Sequence, residues 1–309
     1  MPVLSFRSMS NNATNSVISR VLDGYSIEVM PRTAAKIEDF RALLPKGTRV
    51  YVAHIEGTPI DDMIATAQRL AADGFTVMPH FPARIIKNEA EFGTWVMRYR
   101  EEAAVTEALV LGGSPTTPVG VFESSIQLLE TGAFQEAGYT RLHVAGHPEG
   151  NRDIEPSGET GIVDSSLRWK AAWADANDID MAIVTQFAFD GAGVIQWGKR
   201  LRNAGIGLPI HLGVAGPAKL QTLIKFAIAC GVGPSLNVLQ KRAKDVTKLV
   251  MPFEPDAILV DVAEATDESG GPLFEQIHLF PLGGIKAFAA YAARYSGAGD
   301  RTTTATGAN

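Results

Sequence analysis

Eight short apolar runs are spaced along nearly the whole chain, and each stops at polar, Gly or Pro residues. Continuous runs of this length, rich in Val and Ile, are typical of strands buried on both faces, as parallel strands are. The runs are SIEVMP (26–31), RVYVAHI (49–55), FTVMPHF (75–81), ALVLGG (108–113), RLHVAGH (141–147), MAIVTQF (181–187), LPIHLGV (208–214) and EQIHLFPLGG (275–284). Segments of helical periodicity lie between them, so the pattern predicts an α/β protein, a single-domain (β/α)8 TIM barrel.

The predicted barrel covers residues 25–296, between an N-terminal arm (1–24) and a flexible C-terminal tail (297–309). We expect the arm to be disordered or to pack across the barrel base, and the small, polar tail to fray. Helices are indicated by DDMIATAQRLAADG, SSIQLLETGAF, AGVIQWGKRLRNAG and AKLQTLIKFAIACG. Two segments, 150–166 and 252–272, have no periodic pattern and are predicted to be long irregular loops.

Composition narrows the function classes. The net charge is −6 and no dense basic stripe is present, so nucleic acid is not an expected partner. The single cysteine, Cys230, excludes an intramolecular disulfide, and its apolar neighbours predict a buried thiol. No apolar run approaches the roughly 20 residues that span a bilayer, and the N-terminus lacks the apolar core of a secretory signal. These features favour a cytoplasmic protein with no membrane partner.

In a TIM barrel the chemistry lies at the C-terminal ends of the strands. The residues at those predicted ends are Glu28, His54, His80, Gly112 with Gly113, His147, Gln186 and His211. Glu28 lies between Ile27 and Val29, where strand alternation directs its side chain into the barrel or its mouth. An unpaired carboxylate is costly there, which favours a general acid. The alternative is an ion pair with a nearby cation such as Arg32.

The other polar groups point to a small flat ligand. The histidines by themselves would allow a metal-dependent hydrolase, but the first strand has no HxH and the last strand has no Asp, which makes this a weaker alternative. The loop LGGSPTTPVG (111–120) allows backbone N–H groups to approach a phosphate or a flat ring, or is a plain turn. Gln186, followed by Phe187 and Phe189, offers an amide beside aromatic rings, which suits a pterin or flavin.

Four of these segments resemble the methylenetetrahydrofolate reductase family, whose members are flavin-containing (β/α)8 barrels. SIEVMPRT (26–33) is similar to the family's SFEFFPPRT, MPHF (78–81) to its PHLT segment, VAGHPEGN (144–151) to AGYPEGHP, and IVTQFAFD (183–190) to IITQFFFD. The resemblance covers roughly residues 25–290. It implies an oxidoreductase of one-carbon metabolism, acting on CH–NH donors, that interconverts 5,10-methylenetetrahydrofolate and 5-methyltetrahydrofolate. Hydride would pass through bound FAD, with NAD(P)H as reductant.

The resemblance also implies individual roles. Glu28 would be the general acid that assists opening of the methylene bridge. The implied substrate-binding residues are Gln186, Phe189, Phe226 and Lys286. The implied FAD-binding residues are His80, Gly112, Gly113, Ser114, Ala145, His147, Asn151, Arg168 and Lys170. The flavin would carry the hydride chemistry, and the protein would supply orientation and the proton.

Three departures from the family concern the FAD site rather than the folate site. The family's RGD after the fourth strand reads Gly112-Gly113-Ser114 here, His147 replaces a tyrosine, and Asn151 replaces a histidine. A flavin-independent, NAD(P)H-dependent reductase, another electron carrier, a pterin-dependent methyltransferase barrel and a folate-binding protein without activity therefore stay open. The expected partner in each case is a tetrahydrofolate derivative, and the chain is compatible with a homo-oligomer.

Overall fold

Eight parallel strands form a closed barrel in chain order, which confirms the predicted fold. The computed structural model describes residues 11–151, 153–155, 157, 159–230, 239 and 252–296. The strands are β1 (Ser26–Val29), β2 (Arg49–Val52), β3 (Thr76–Pro82), β4 (Glu107–Leu111), β5 (Arg141–Gly146), β6 (Asp180–Thr185), β7 (Ile210–Ala215) and β8 (Gln276–Phe280). The barrel closes where β1 pairs with β8, with Ser26 opposite His278.

Helices connect the strands. They are α1 (Asn11–Val21), α2 (Pro31–Ala34), α3 (Ile60–Ala72), α4 (Glu89–Ala103), α5 (Ser125–Glu130), α6 (Ala133–Glu136), α7 (Gly161–Asn177), α8 (Gly191–Asn203), α9 (Leu220–Ala229), α10 (Asp256–Ala263) and α11 (Ile285–Tyr295), with a 3-10 helix at Ala83–Ile85. Helix α3 illustrates the local rules. Its apolar residues recur at helical spacing and are buried, and Asp61 and Asp62 lie in the first turn, where acidic side chains favour the helix dipole. Among the described residues, no helix has the length and apolar character needed to cross a membrane.

Three segments are more helical than the sequence pattern predicted. Residues 11–21 of the arm form helix α1, which buries Val17 and Ile18 and packs against α10 and α11. Part of the irregular segment predicted at 252–272 is helix α10, because Ile258, Leu259 and Val262 supply a buried face. The loop predicted at 150–166 ends earlier, since α7 begins at Gly161. Residues 1–10 and the predicted tail lie outside the described residues.

The interior of the barrel is unusually polar. The side chains of Ser26, Tyr51, His143, His211 and His278 are all at most 1% exposed. At the N-terminal ends of the strands, the Nε atom of Arg49 lies 2.6 Å from Oε2 of Glu107. An ion pair therefore closes the N-terminal end of the barrel. Above it lies a layer of buried hydroxyls and imidazoles, and in many TIM barrels this layer consists of branched apolar residues.

Hydrogen bonds satisfy much of this layer. The Nε atom of Arg141 donates to Nε2 of His143 at 2.8 Å, so the neutral ring carries its hydrogen on Nδ1 and donates it to the Tyr51 hydroxyl at 2.5 Å. Nε2 of His211 donates to Oε2 of Glu275 at 2.7 Å. Burial is the main cause that lowers the pKa of His211 to about 4 and the pKa of His143 well below its ordinary value. The imidazoles are therefore neutral at pH 7.

Candidate functional site

A cavity of about 720 Å³ opens at the C-terminal ends of the strands. Most of its wall is apolar, with Leu109, Leu111, Val184, Phe226 and Phe280 among the lining residues. A second cavity, of about 790 Å³, lies outside the barrel between α2 and α3 and shares only Met30 and Ile55 with the first. The first cavity is the candidate site, because it lies where TIM-barrel chemistry occurs and contains titratable groups from the strands.

Nine of the residues predicted from the sequence meet in this cavity. They are Glu28, His80, Gly113, Ser114, Ala145, His147, Gln186, Phe226 and Lys286. They come from five different strands or the loops after them and from two helices, α9 and α11. The candidate acid Glu28 and the candidate amide Gln186 therefore share one cavity.

Glu28 is partly buried on β1, and its neighbour is a histidine rather than an arginine. Oε2 of Glu28 lies 3.3 Å from Nε2 of His80, within ion-pair range but without hydrogen-bond geometry. His80 is itself 8% exposed. The guanidinium of Arg32 is exposed and makes no ion pair with Glu28. The alternative of a structural Glu28–Arg32 pair is therefore not what the structure contains.

The backbone at Gln186 is held firmly. Its N–H donates to the Gly146 carbonyl at 3.3 Å, and its carbonyl accepts from the Thr185 hydroxyl at 2.8 Å. The same hydroxyl accepts from the Gly213 N–H at 2.8 Å, and a Cβ at Gly213 would lie only 2.3 Å from the Thr185 carbonyl oxygen. The side-chain amide of Gln186 makes no hydrogen bond with the described residues. It is therefore available to a ligand.

Two further histidines line the cavity: His54, which the sequence placed at a strand end without a specific role, and His278, which the sequence did not single out. His54 is 7% exposed and its Nε2–H donates to the Thr58 carbonyl at 3.1 Å, so Nδ1 is an unpartnered acceptor. Burial lowers the pKa of His54, which keeps it neutral. His278, on β8, is 1% exposed and also lines the cavity. The alternation of side chains along a strand could have indicated His278, because it lies two residues before Phe280 and therefore on the same face of β8.

Cys230 corrects another expectation. Its apolar sequence neighbours predicted a buried thiol, but the residue is exposed at the end of α9 and lines the cavity. The prediction failed because the exposed face of α9 also carries apolar residues such as Ile228, which is 64% exposed. Although the residue is exposed, the protein around the sulfur partly desolvates it, and this desolvation, with a smaller contribution from Glu28, raises the pKa of the thiol.

Five predicted residues are not on the cavity wall, and three of them belong to the strand-end loops. Phe189 is buried, with its ring centroid 5.8 Å from that of Phe187 and 5.2 Å from that of Phe253. Oδ1 of Asn151 accepts from the Asp153 N–H at 2.9 Å and so shapes its own loop. Gly112 faces the Arg84 guanidinium, because a Cβ at Gly112 would lie 3.3 Å from Nη2 of Arg84.

The predicted phosphate-binding pair is also separated. Arg168 is exposed on α7, whereas Lys170 is 6% exposed and belongs to the face of α7 that packs against the barrel. Residues two apart in a helix differ by about 200° in direction, so the two cations do not converge on one phosphate. Burial lowers the pKa of Lys170 to about 8. Burial, followed by the charge of Lys170, lowers the pKa of His147 to about 4. The described residues therefore do not bring Arg168 and Lys170 together as the predicted FAD phosphate site.

The described part of the chain contains no group of three or more His, Cys, Asp or Glu side chains arranged to hold a metal ion.

Comparison with known proteins gives distant similarities. No protein-family model matches the chain. Solved structures that resemble it include a DHPS of Yersinia pestis with a pterine-sulfa conjugate (12% identity, 88% of this chain and 91% of that chain, TM-score 0.44). Another is the 7,8-dihydropteroate synthase of Vibrio fischeri (11% identity, covering 91% of this chain and 95% of that chain, TM-score 0.45). A third is the 3-dehydroquinate dehydratase of Geobacillus kaustophilus (14% identity, covering 62% of this chain and 74% of that chain, TM-score 0.36). Similarities this distant support no transfer of activity.

Proposed function

We propose that the protein interconverts 5,10-methylenetetrahydrofolate and 5-methyltetrahydrofolate. The observation that carries the proposal is the meeting of Glu28 and the unpartnered amide of Gln186 in one cavity with largely apolar walls. A flat heterocycle needs such walls for its faces and a few polar groups for its edge. The resemblance of the segments around Glu28, His147 and Gln186 to the methylenetetrahydrofolate reductase family supports this ligand class.

In this proposal Glu28 supplies the proton. Protonation of the bridge nitrogen that leaves breaks its bond to the methylene carbon and gives a reactive iminium. A hydride then adds to that carbon and forms the methyl group, so one proton and one hydride are consumed. In the reverse direction the Glu28 carboxylate takes the proton back. Gln186 holds the edge of the pterin, and Phe226 offers an aromatic face.

The hydride carrier is a separate question. FAD is the carrier that the family resemblance implies, and the protein would hold its ring against His80, Gly113, Ser114, Ala145 and His147. Because Asn151, Arg168 and Lys170 do not gather at the cavity, we derive no step through FAD. Direct reduction of the folate by NAD(P)H in the same cavity is the second candidate, since this carrier binds and leaves in each turnover and needs no permanently bound flavin.

The absorbance spectrum of the purified protein, combined with an anaerobic assay, tests the proposal. A yellow protein bleached by 5-methyltetrahydrofolate or NAD(P)H identifies the flavin route. A colourless protein that oxidises NAD(P)H only when methylenetetrahydrofolate is present identifies the direct route. Arg168→Gln serves as a control in both cases, because this exposed side chain lies off the cavity wall and its loss should leave turnover unchanged. Failure to turn over either folate with any carrier would contradict the proposal, and methyl transfer to an acceptor without hydride exchange would favour a methyltransferase.

A further inference from the structure

His278 occupies the floor of the cavity. It projects from the inner face of β8, where it is 1% exposed, and its backbone pairs with Ser26 of β1. Its ring centroid lies 4.3 Å from that of Tyr51 and 4.8 Å from that of Phe280. These rings fix the orientation of the imidazole, so its two nitrogens have defined surroundings.

One of those nitrogens is used by the protein and the other is not. Nδ1 lies 3.0 Å from the Ser26 hydroxyl oxygen, in hydrogen-bonding geometry. Nε2 makes no hydrogen bond with any residue that the structure describes, and the ring lines the cavity. Nε2 is also absent from the buried polar atoms that lack a partner, so it keeps contact with the cavity, and a nitrogen without a protein partner there can form a hydrogen bond with a ligand.

The surroundings of the ring keep it uncharged. The titratable and charged groups around it are Arg49 and Tyr51 from β2, His80 from β3 and His211 from β7, while β1 contributes the neutral Ser26. Burial first, and then His80, His211 and Arg49, hold the pKa of His278 well below its ordinary value. A neutral imidazole offers one donor and one acceptor, and rotation of the Ser26 hydroxyl decides which of these Nε2 presents.

We propose that His278 is a substrate-binding residue whose Nε2 forms a hydrogen bond with the uncharged polar edge of a flat heterocycle. A neutral imidazole forms a directional hydrogen bond but carries no positive charge. The floor of the cavity therefore favours an uncharged ring over an anionic group. The inference rests on the proposed function for the identity of the ring, a tetrahydrofolate pterin. Ser26 is then a positioning residue, because it acts on the ligand through His278.

Nitrogen NMR of protein labelled with ¹⁵N-histidine tests the contact without any need for turnover. The chain has six histidines, and the His278→Gln spectrum assigns the resonances of His278. Addition of 5-methyltetrahydrofolate should shift the Nε2 resonance of His278. His143 is the matched control: it is equally buried in the same barrel, but Tyr51 and Arg141 already occupy both of its nitrogens. Its resonances should stay in place.

Affinity gives a second measurement. Loss of one hydrogen bond to a neutral group weakens binding about three- to tenfold, which is the increase in Kd expected for His278→Leu. Ser26→Ala keeps the His278 ring and is the milder change. It should alter the ¹⁵N shifts that report the tautomer of His278, and it should raise Kd less than His278→Leu does. It also keeps the test valid if His278→Leu does not fold.

The outcomes separate this inference from the proposed function. If wild-type protein binds and turns over folate while the His278 resonance and the affinity of both variants stay unchanged, the inference is wrong and the proposed function stands. If wild-type protein binds no folate, both are wrong. A shift at His278 together with an equal shift at His143 would indicate a general rearrangement of the barrel and would also overturn the inference.

Discussion

Nε2 of His80 lies 3.3 Å from Oε2 of Glu28, and both side chains face the cavity that contains the Gln186 amide. The two groups come from β1 and β3, which are not neighbours in the barrel, so the closed sheet is what brings them together. The relationship places the proposed acid beside a second titratable group on the wall of the cavity.

Loss of His80 should reduce turnover through Glu28. We expect His80→Leu to lower kcat about tenfold, which corresponds to roughly 1.4 kcal/mol, because the carboxyl of Glu28 loses its neighbouring polar group. His80→Gln keeps a polar group and should retain more of the activity. Steady-state kinetics of the two variants checks this. Equal loss in both variants would mean that His80 acts by packing alone.

Two phenylalanines that looked equivalent in the sequence should behave differently. Phe189 is buried between aromatic rings, so Phe189→Ala should destabilise the fold by about 3–5 kcal/mol in chemical unfolding. Phe226 is only partly buried and lines the cavity, so Phe226→Ala should mainly weaken folate binding. The reverse assignment, with Phe189→Ala stable but weak in binding, would contradict the geometry.

The sequence made the barrel and the acid–amide pair predictable for physical reasons. Parallel strands buried on both faces leave continuous apolar runs, and the C-terminal ends of such strands must meet at one end of a barrel. Glu28 and Gln186 interrupt or end such runs and are therefore visible. Helix α10 was missed because its short apolar segment, Ile258 to Val262, lies between Pro-rich and Gly-rich flanks.

Contacts across the barrel were harder to predict from the sequence. Whether the ring of His278 faces water, a ligand or Ser26 depends on the pairing of β1 with β8, two segments 252 residues apart. The opposite directions of Arg168 and Lys170 follow from their phase on α7, which is fixed only when the helix docks. The exposure of Cys230 likewise depends on how α9 meets the barrel, and its apolar neighbours do not reveal this.

The single cysteine offers a test of the cavity that is independent of activity. Cys230 lines the cavity and is the chain's only thiol, so labelling reports one position. Because partial desolvation by the surrounding protein raises the pKa of this exposed thiol, we expect its modification at neutral pH to be slower than in denatured protein. Saturating 5-methyltetrahydrofolate should slow it further. Denatured protein gives the control rate, and a native rate that does not change with ligand would place the folate elsewhere.

The buried imidazoles predict sensitivity to mild acid. The pKa of His211 is about 4 in the folded protein and near its ordinary value of 6.5 when unfolded. The unfolded state therefore binds protons first, and the free energy of unfolding should fall as the pH drops from about 6.5 towards 4, by up to about 1.4 kcal/mol per pH unit for this group. His143 and His278 act in the same direction.

Denaturant unfolding at several pH values between about pH 7 and pH 5 measures the slope. In the His211→Asn variant, the slope of the unfolding free energy against pH should be smaller than in wild type, by an amount that corresponds to at most one bound proton. The reason is that the variant lacks one of the groups that titrate. A free energy of unfolding that is constant over this range would show that these histidines are accessible to protons in the folded barrel.

The Glu28→Gln substitution tests the central claim most directly, because it removes the proton and keeps the shape of the side chain. Equilibrium titration with 5-methyltetrahydrofolate and single-turnover kinetics should be measured on the same preparation. We expect a Kd close to that of wild type and a rate of hydride exchange lower by about 10²–10⁴-fold. A variant that turns over at the wild-type rate would contradict the role of Glu28 as the acid.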